Sequence, residues 1–346
     1  MPTIFDVAKA ANVSIASVSL VLRDPNTRRV GQKKREDILR IAKQTGYVPN
    51  LLARGLSNHG TGILGLVIPV RDPRISFNPT IADMLAGIQS KLLECDYHLI
   101  VYSHKSEKGA ITNSQIIRSK ATDGLIFINT RMCTGDDVRA SIKEMNAARI
   151  PFVMINSAQE TGGINYVGVD DIELCVEAAA YLHAKGHRKI GMLTGTRNSP
   201  TSGILRRSFE EGLKRVGLSL REAWFGYTDF QPLATKRELR RILRQKKRPT
   251  ALFCTSDQFV PAIYEALRED GVRIPEDLSI LGRGNLSFTP YFTPPLTTMS
   301  VPIFDIGRRA ATLLIESLKS PGREPQRVLL PGNLVERDSV AAVDNN

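Results

Sequence analysis

The sequence predicts a small all-α helix-turn-helix domain followed by a larger α/β core built on parallel sheets. Three short helical patterns fill residues 4–46, and from residue 62 onward apolar strand-like runs alternate with amphipathic helices. Hydrophobic residues make up 42% and charged residues 24% of the 346-residue chain, which is typical of a soluble globular protein. The number of predicted strands favours a core of two lobes over a single sheet.

The first two helices are predicted from apolar spacing and a capping residue. Phe5, Val7 and Ala8 place an apolar stripe on the first helix. A turn then ends at Ser14, whose hydroxyl suits the N-cap of a second helix over residues 15–22. Two short helices joined by a turn of about three or four residues make up the helix-turn-helix motif.

A third helix is predicted over residues 33–45. Ile38, Leu39 and Ala42 recur on one of its faces. Gly46 ends it, because glycine takes up the left-handed conformation of a helix C-terminus without steric cost. The sequence therefore predicts a three-helix unit.

The α/β core is predicted from alternating strands and helices. Strands are expected at residues 62–70, 98–102, 124–128, 151–155, 189–193, 251–255 and 278–281. Amphipathic helices are expected between them, for example at residues 80–95, 174–185, 208–216 and 258–269. Apolar strands separated by helices predict parallel sheets covered by helices on both faces.

The positive charge is concentrated in the helical unit. The net charge is +12, and the first 60 residues hold ten Lys and Arg residues against four Asp and Glu residues. A basic segment is often only a solvated surface, but one that is also a compact helical unit is a better candidate for nucleic-acid binding. We therefore expect double-stranded DNA as a partner.

Two features bear on location. No apolar run reaches the roughly 18 residues of a membrane span, and the N-terminus has no basic region followed by an apolar stretch. We expect a cytoplasmic protein with no membrane partner.

The sequence gives no support for a metal, a cofactor or catalysis. The cysteines Cys95, Cys133, Cys175 and Cys254 are far apart and have no histidine at zinc-ligand spacing. Residues 60–65 match G-x-G-x-x-G, but they precede a strand, whereas a dinucleotide site must follow one. No hydrolase signature is present, so we expect no enzyme.

Several motifs occur in the order seen in the LacI/GalR (lactose-repressor/galactose-repressor) family of transcriptional regulators, and the chain resembles that family along its whole length. The N-terminal matches are Phe5-Asp6-Val7-Ala8, Asn12-Val13-Ser14, Ser17-Val18-Ser19, Gly46-Tyr47-Val48-Pro49-Asn50 and Ala53-Arg54. The core matches include Asp123-Gly124, Val169-Asp170, Ser256-Asp257 and Leu334-Val335-Glu336-Arg337.

The resemblance implies a domain layout. Residues 1–48 would form the helix-turn-helix domain, residues 49–61 a hinge helix and linker, and residues 62–346 a core like a periplasmic binding protein. That core would have discontinuous lobes. Lobe 1 would hold residues 62–156 and 291–326, and lobe 2 residues 157–290 and 327–340, with crossings near residues 157, 290 and 326.

The resemblance also implies a homodimer that binds a near-palindromic operator and represses transcription. The side chains assigned to DNA are Ser14, Ile15, Ala16, Ser17, Ser19, Leu20, Tyr47, Asn50, Ala53, Arg54 and Leu56. Ile15, Ala16 and Leu20 would face base edges, and the serine hydroxyls would contact phosphates. Helix capping and solvated polarity are equally good roles for any one of the serines.

Residues 51–57 form a predicted hinge helix of about two turns, weakened by Gly55. The resemblance implies that this helix folds on DNA and inserts Leu56 into the minor groove, with Ala53 beside it. The alternative is an ordinary linker whose leucines cover the core.

A small-molecule effector is implied in the cleft between the lobes, with Asn156, Arg206, Phe230 and Ser256 as its candidate contacts. Other positions depart from the family pattern. Leu205 stands where an arginine is usual, and Gly284 stands where an aspartate is usual. A site that binds sugar hydroxyls needs such polar partners. We therefore expect an unusual ligand or none, and no binding of common hexoses or pentoses.

The alternative within the same fold is an effector-independent or protein-controlled regulator. A solute-binding protein would need a signal peptide and no helix-turn-helix domain, and an enzyme would need a reactive cluster. The last residues, 341–346, contain no heptad leucines, which favours a dimer over a tetramer.

Overall fold

Three helices form the N-terminal unit: α1 (Ile4–Ala10), α2 (Ile15–Arg23) and α3 (Gln32–Thr45). A computed structural model of the chain describes residues 2–48, 60–69, 78–95, 97–104, 121–128, 135–155 and 163–343. Residues 1–62 and residues 63–346 form two separate structural units.

Capping groups define where these helices begin and end. Thr3 and Asp6 form a reciprocal capping box at the start of α1. The Ser14 hydroxyl accepts from the Ser17 N–H at 3.2 Å and caps α2, as predicted. Gly46 ends α3 with a φ of 66°, in the left-handed region that the sequence indicated.

A small apolar core holds the three helices together. Val7, Val18, Val21 and Ile38 are fully buried at its centre. Phe5, expected on the apolar stripe of α1, is 67% exposed. The prediction for Phe5 is wrong because positions 5 and 7 are two residues apart and lie on different faces of a helix.

The first sheet of the core has six strands in the order β11-β5-β4-β3-β1-β2, all parallel. The strands are β1 (Ile63–Pro69), β2 (His98–His104), β3 (Gly124–Ile128), β4 (Phe152–Ile155), β5 (Asn165–Val169) and β11 (Arg327–Leu330). The helices α4 (Pro79–Cys95), α5 (Gly135–Ala147) and α10 (Ile303–Lys319) pack against this sheet. These elements form the first lobe.

The second sheet has six strands in the order β12-β10-β9-β8-β6-β7, and only the pairing of β10 with β12 is antiparallel. The strands are β6 (Ile190–Thr194), β7 (Phe225–Tyr227), β8 (Ala251–Cys254), β9 (Ser279–Gly284), β10 (Thr297–Ser300) and β12 (Asn333–Val335). The helices α6 (Asp171–Ala184), α7 (Pro200–Arg215), α8 (Pro232–Leu243) and α9 (Val260–Glu269) cover it and complete the second lobe.

Each sheet is covered on both faces, as predicted. In the first lobe, Ile126 packs with α4 and α10, while its neighbour Phe127 packs with α5. Two glycines let α4 and α10 come into backbone contact, because a Cβ at Gly87 would collide with the Phe304 carbonyl and one at Gly307 with the Met84 carbonyl.

The crossings between the lobes lie later in the chain than the sequence indicated. The first strand segment assigned to lobe 2, β5, pairs with β4 of the first sheet. In the same way β10 pairs with β9 of the second sheet, and β11 pairs with β5 of the first. The crossings therefore follow residues 169, 300 and 330, and not residues 157, 290 and 326. Sequence periodicity marks strands, and it carries no information about which sheet a strand joins.

Among the described residues, no single helix has the length and apolar character needed to span a membrane. The pair α1 and α2 passes that test only when taken together across a 105° bend.

Candidate DNA interface and ligand cavity

The first turns of α2 present an accessible surface. Ile15 is 38% exposed, and Ala16 and Ser19 are also exposed. Leu20, one turn after Ala16, is half-buried and packs against the apolar core of the helical unit. The structure therefore brings Ile15 and Ala16 together on the surface and gives Leu20 a packing role.

Ser14 and Ser17 are tied to each other at the start of this helix. Their hydroxyl oxygens are 3.0 Å apart, and the Ser14 hydroxyl also caps the helix. This geometry bears out the capping role for Ser14. Because Ser14 remains exposed, its second lone pair and the N-terminal N–H groups of α2 are accessible to an anion such as phosphate.

The helical unit carries seven exposed cationic residues among those whose side chains the structure describes: Lys9, Arg28, Arg29, Lys33, Lys34, Arg40 and Lys43. Arg40 pairs with Asp37 on its own helix at 2.8 Å. Such a surplus of solvated cations suits a polyanionic partner.

The remaining residues assigned to DNA lie near the end of the unit or beyond it. Tyr47 is half-buried and packs on the core of the helical unit. Asn50, Ala53, Arg54 and Leu56 lie outside the described residues.

A cavity of about 170 Å³ lies between the two lobes of the core. It is lined at the carboxyl ends of parallel strands from both sheets: Ile128 ends β3, Thr194 ends β6 and Gly284 ends β9. Open α/β sheets bind their ligands at this edge. The cavity is therefore the candidate ligand site of the core.

Phe230 belongs to a strained turn, and its side chain forms part of the cavity wall. Asp229 and Phe230 have φ values of 48° and 55°, in the left-handed region that non-glycine residues rarely take up. The ring packs on Gly195, where a Cβ would collide with it, and meets Phe259 edge-on at 5.6 Å. Strain of this kind is typical of ligand-contacting turns.

The start of α7 also faces the cavity. Ser199 is the N-cap and Pro200 the first helical residue, and Ser199, Thr201 and Ser202 all line the cavity. Ser199 makes no side-chain capping hydrogen bond.

Asp171 and Arg283 form an ion pair in the same wall, with 15% of each side chain exposed. Asp171 begins α6 and Arg283 lies on β9. The Arg283 Nε is buried and has no hydrogen-bond partner among the described residues. A buried donor without a partner is costly.

Asp257 supports this wall from behind. Its carboxylate is fully buried and accepts from the Thr298 hydroxyl at 3.0 Å and from the Leu286 N–H at 3.2 Å. Burial raises the pKa of the Asp257 carboxyl, although these hydrogen bonds oppose the shift. A Cβ at Gly282 would collide with the carboxylate, so only glycine fits there. Asp257 thus fixes the turn that carries Arg283 and Gly284.

The two lobes are joined directly at the cavity. Gln258 Nε2 donates to Asn78 Oδ1 at 2.9 Å and to Thr80 Oγ1 at 3.0 Å, and Asn78 Nδ2 donates to Gln258 Oε1 at 3.3 Å. Asn78 and Thr80 stand at the start of α4 in the first lobe, and Gln258 follows β8 in the second. Protein groups alone therefore bridge the cleft.

The structure brings two of the four predicted effector contacts to the cavity, Phe230 and Ser256. Arg206 does not line it: the guanidinium pairs with Glu210 at 2.8 Å and Glu222 at 2.6 Å. Its neighbour Leu205 faces the cavity instead, because consecutive residues of a helix point in different directions. Asn156 lies outside the described residues.

Sequence reasoning missed most of the polar wall: Asn78, Thr80, Asp171, Ser199, Thr201, Ser202, Gln258 and Arg283. One signal was present. Ser199-Pro200-Thr201-Ser202 places an N-cap serine and an N1 proline just after the apolar strand β6, which marks a helix N-terminus at the carboxyl edge of a sheet.

Within the described residues, no group of three or more His, Cys, Asp or Glu side chains is arranged to hold a metal ion.

Both units match known protein families. Residues 3–50 match the family described as "Bacterial regulatory proteins, lacI family", and residues 179–340 match "Periplasmic binding protein-like domain".

Curated relatives match over almost the whole chain. The HTH-type transcriptional repressor PurR of Erwinia tasmaniensis is 32% identical over 99% of this chain and 97% of its own. The ribose operon repressor of Haemophilus influenzae is 29% identical over 98% of this chain and 99% of its own.

A solved structure shows the same fold. The lac repressor dimer bound to operator and the anti-inducer ONPF superposes with a TM-score of 0.85 over 99% of both chains, at 21% identity.

Proposed function

The chain belongs to the lacI family of bacterial regulatory proteins, and we propose that it represses transcription as a homodimer bound to a near-palindromic operator. The main support is the exposed start of α2, where Ile15 and Ala16 are accessible for contacts with base edges beside the Ser14 hydroxyl. We propose that the protein acts in the cytoplasm, where bacterial operators lie.

The remaining DNA contacts are proposed on the family resemblance. Ser17, Ser19, Tyr47 and Asn50 would hold phosphates, which fix the orientation of the protein without reading sequence. In the predicted hinge helix over residues 51–57, Leu56 would enter the minor groove with Ala53 beside it, and Arg54 would be a further DNA contact. The matched relatives are repressors, and we propose no catalytic activity for this chain.

The core cavity would hold a small-molecule effector, with Phe230 and Ser256 among its contacts. Ligands at the edge between two lobes change their relative arrangement by binding one arrangement more tightly. Asn156 and Arg206 stay candidates only on the resemblance, since Arg206 is engaged by two glutamates in the present arrangement.

One observation favours a second candidate, an effector-independent regulator. The Asn78–Gln258 amide pair closes the cleft with protein groups alone. A regulator of this type would show the same operator affinity with and without any small molecule.

Operator selection with the full chain tests the proposed function. Purified protein should retain a specific subset of random or genomic DNA fragments, with symmetric half-sites. Ala16→Glu should abolish retention, because a carboxylate on the exposed start of α2 repels phosphate. Leu233 is 82% exposed on the α/β domain, so Leu233→Glu is the matched control and should bind DNA normally. Specific retention by Ala16→Glu protein would refute the proposal.

A further inference from the structure

The first turn of α7 offers unused hydrogen-bond donors to the cavity. The first N–H groups of a helix have no partner within it, and Pro200 has none to offer. The first intrahelical donor is the Gly203 N–H, which bonds to the Ser199 carbonyl at 3.3 Å. The N–H groups of Thr201 and Ser202 are therefore available at the positive end of a 16-residue helix.

The side chains of this turn add hydroxyls. Ser199 is 6% exposed and Ser202 5% exposed, yet neither hydroxyl has a hydrogen-bond partner in the described part of the chain. Both line the cavity, so their hydroxyls face its interior. Both oxygens keep accessible surface in the cavity, where each can donate a hydrogen bond to an acceptor oxygen of a ligand.

The charges of the cavity set the charge of that ligand. Among the lining residues that the structure describes, the charged side chains are Asp171 and Arg283, and these neutralise each other. The Arg283 Nε remains as a buried donor without a partner. A surplus of donors and a helix N-terminus suit one negative charge.

Apolar side chains also line the cavity close to these donors. At Gly195, a Cβ would collide with the Phe230 ring and lie 3.3 Å from the Ser202 hydroxyl, so ring and hydroxyl border the same space. Met84, Ile128 and Leu286 provide aliphatic surface from the other sides. A bound molecule would bury a compact apolar body against them.

We propose that the cavity binds a small monocarboxylate with a compact apolar body, its carboxylate held by Ser199, Thr201 and Ser202 at the start of α7. The body would lie against Phe230. This inference rests on the proposed function, because it takes the cavity as the effector site.

Matched carboxylate and amide pairs test the ligand class. Isothermal titration of the full chain with isobutyrate, benzoate and phenylacetate should show binding, while isobutyramide, benzamide and phenylacetamide should bind at least tenfold more weakly. Inorganic phosphate and ribose should not bind. Equal binding of acids and amides, or binding of none of the three acids, would overturn the proposal.

Variants of the donors locate the carboxylate. Ser202→Ala should weaken binding of the best acid about tenfold, the usual loss for a hydrogen bond to a charged group. Ser208→Ala is the control, since Ser208 is 6% exposed on the same helix and does not line the cavity. Unchanged affinity in Ser202→Ala, or an equal loss in Ser208→Ala, would contradict the assignment.

Asp171→Asn should change the affinity for acids in the opposite direction. Removing the carboxylate frees Arg283 from its partner, so binding of acids should become about tenfold tighter. Weaker or unchanged binding in a variant that retains its circular dichroism spectrum would argue against the charge reasoning. Operator retention by the unmodified chain is measured separately. If the unmodified chain does not retain operator DNA, the proposed function is refuted. If it retains operator DNA but binds none of the acids, only the proposed ligand class is refuted.

Discussion

Asn78 and Gln258 exchange side-chain amide hydrogen bonds across the cleft, at 2.9 Å and 3.3 Å, and so join the two lobes of the core. Asn78 is positioned by its place before α4, where its Oδ1 also accepts from the Thr80 N–H at 3.0 Å. Both residues line the ligand cavity. A ligand that separates them would open the lobes, and one that fits beneath them would keep the lobes closed.

Gln258→Ala should loosen this closure. The substitution removes three hydrogen bonds to Asn78 and Thr80, each worth about 0.5–1.5 kcal/mol, so the core of the protein should unfold at a temperature a few degrees lower. Small-angle scattering should also give a larger radius of gyration. Gln245→Ala is the control, because the Gln245 side chain donates to the Arg241 carbonyl four residues before it and has no other hydrogen bond among the described residues. An unchanged melting temperature and radius in Gln258→Ala would show that the pair does not hold the lobes together.

His187 makes the stability of the core depend on pH. Its ring is 1% exposed and lies 2.9 Å from the Thr250 hydroxyl and 3.2 Å from the Ala341 carbonyl, which anchors the C-terminal segment. Burial lowers the pKa of His187 below its usual value near 6.5. The unfolded chain therefore binds a proton at a higher pH than the folded chain does.

The free energy of unfolding should therefore fall as the pH drops below about 6.5 and should be fully retained above it. Urea unfolding at pH 7.5 and pH 5.5 measures the difference. In His187→Gln this part of the pH dependence should vanish, although the variant is less stable at both pH values. If the variant keeps the same pH dependence as the unmodified chain, other groups cause it.

The helical unit illustrates how far local sequence signals reach. Ser14 and Gly46 act through their own backbone neighbourhood, so their roles as N-cap and C-terminal stop were predicted and are confirmed. Val7 and Ile38 were placed correctly because helical periodicity decides which residues face a core. Phe5 was misplaced because size and hydrophobicity do not themselves cause burial.

Local sequence signals do not predict the contacts around the cavity, because these contacts join residues that are far apart in the sequence. Asn78 and Gln258 are 180 positions apart, and no local pattern indicates that their amides meet. The pairing of Asp171 with Arg283 likewise depends on how β9 lies beside the start of α6. The threonines of strand β10 suggest a polar, exposed segment. Thr297 and Thr298 are nevertheless buried, and their hydroxyl groups form hydrogen bonds with the Arg337 N–H and the Asp257 carboxylate.

Simple hexoses and pentoses should not bind to the core. Leu205 and Gly284 both line the cavity and offer no side-chain hydrogen bond, and the Ser256 hydroxyl already accepts from the Gln258 N–H at 3.3 Å. Sugar hydroxyls would remain unpaired against them, at about 1–3 kcal/mol each. Calorimetric titration with ribose, glucose and galactose should show no heat of binding. A micromolar dissociation constant for any of these sugars would contradict the conclusion that the cavity wall lacks partners for sugar hydroxyls.

Base recognition by α2 is expected to rely on apolar contacts. Ile15 and Ala16 are exposed at its start, and Leu20 follows on the same face, half-buried against the core of the helical unit. None of the three can donate two hydrogen bonds to guanine. Half-sites should therefore be rich in A·T pairs opposite Leu20, read through thymine methyl groups and groove shape.

Leu20→Arg should change this preference. An arginine there gains bidentate hydrogen bonds to guanine, worth about 1–3 kcal/mol of discrimination, while little core packing is lost because Leu20 is only half-buried. Binding-site selection on the two proteins side by side measures the shift. Gln44→Arg, which adds the same charge on the exposed surface of α3, should raise affinity for all DNA without altering the selected sequence. If Leu20→Arg selects the same half-sites as the unmodified chain, or if the unmodified chain already requires guanine opposite Leu20, then α2 does not lie in the major groove as proposed.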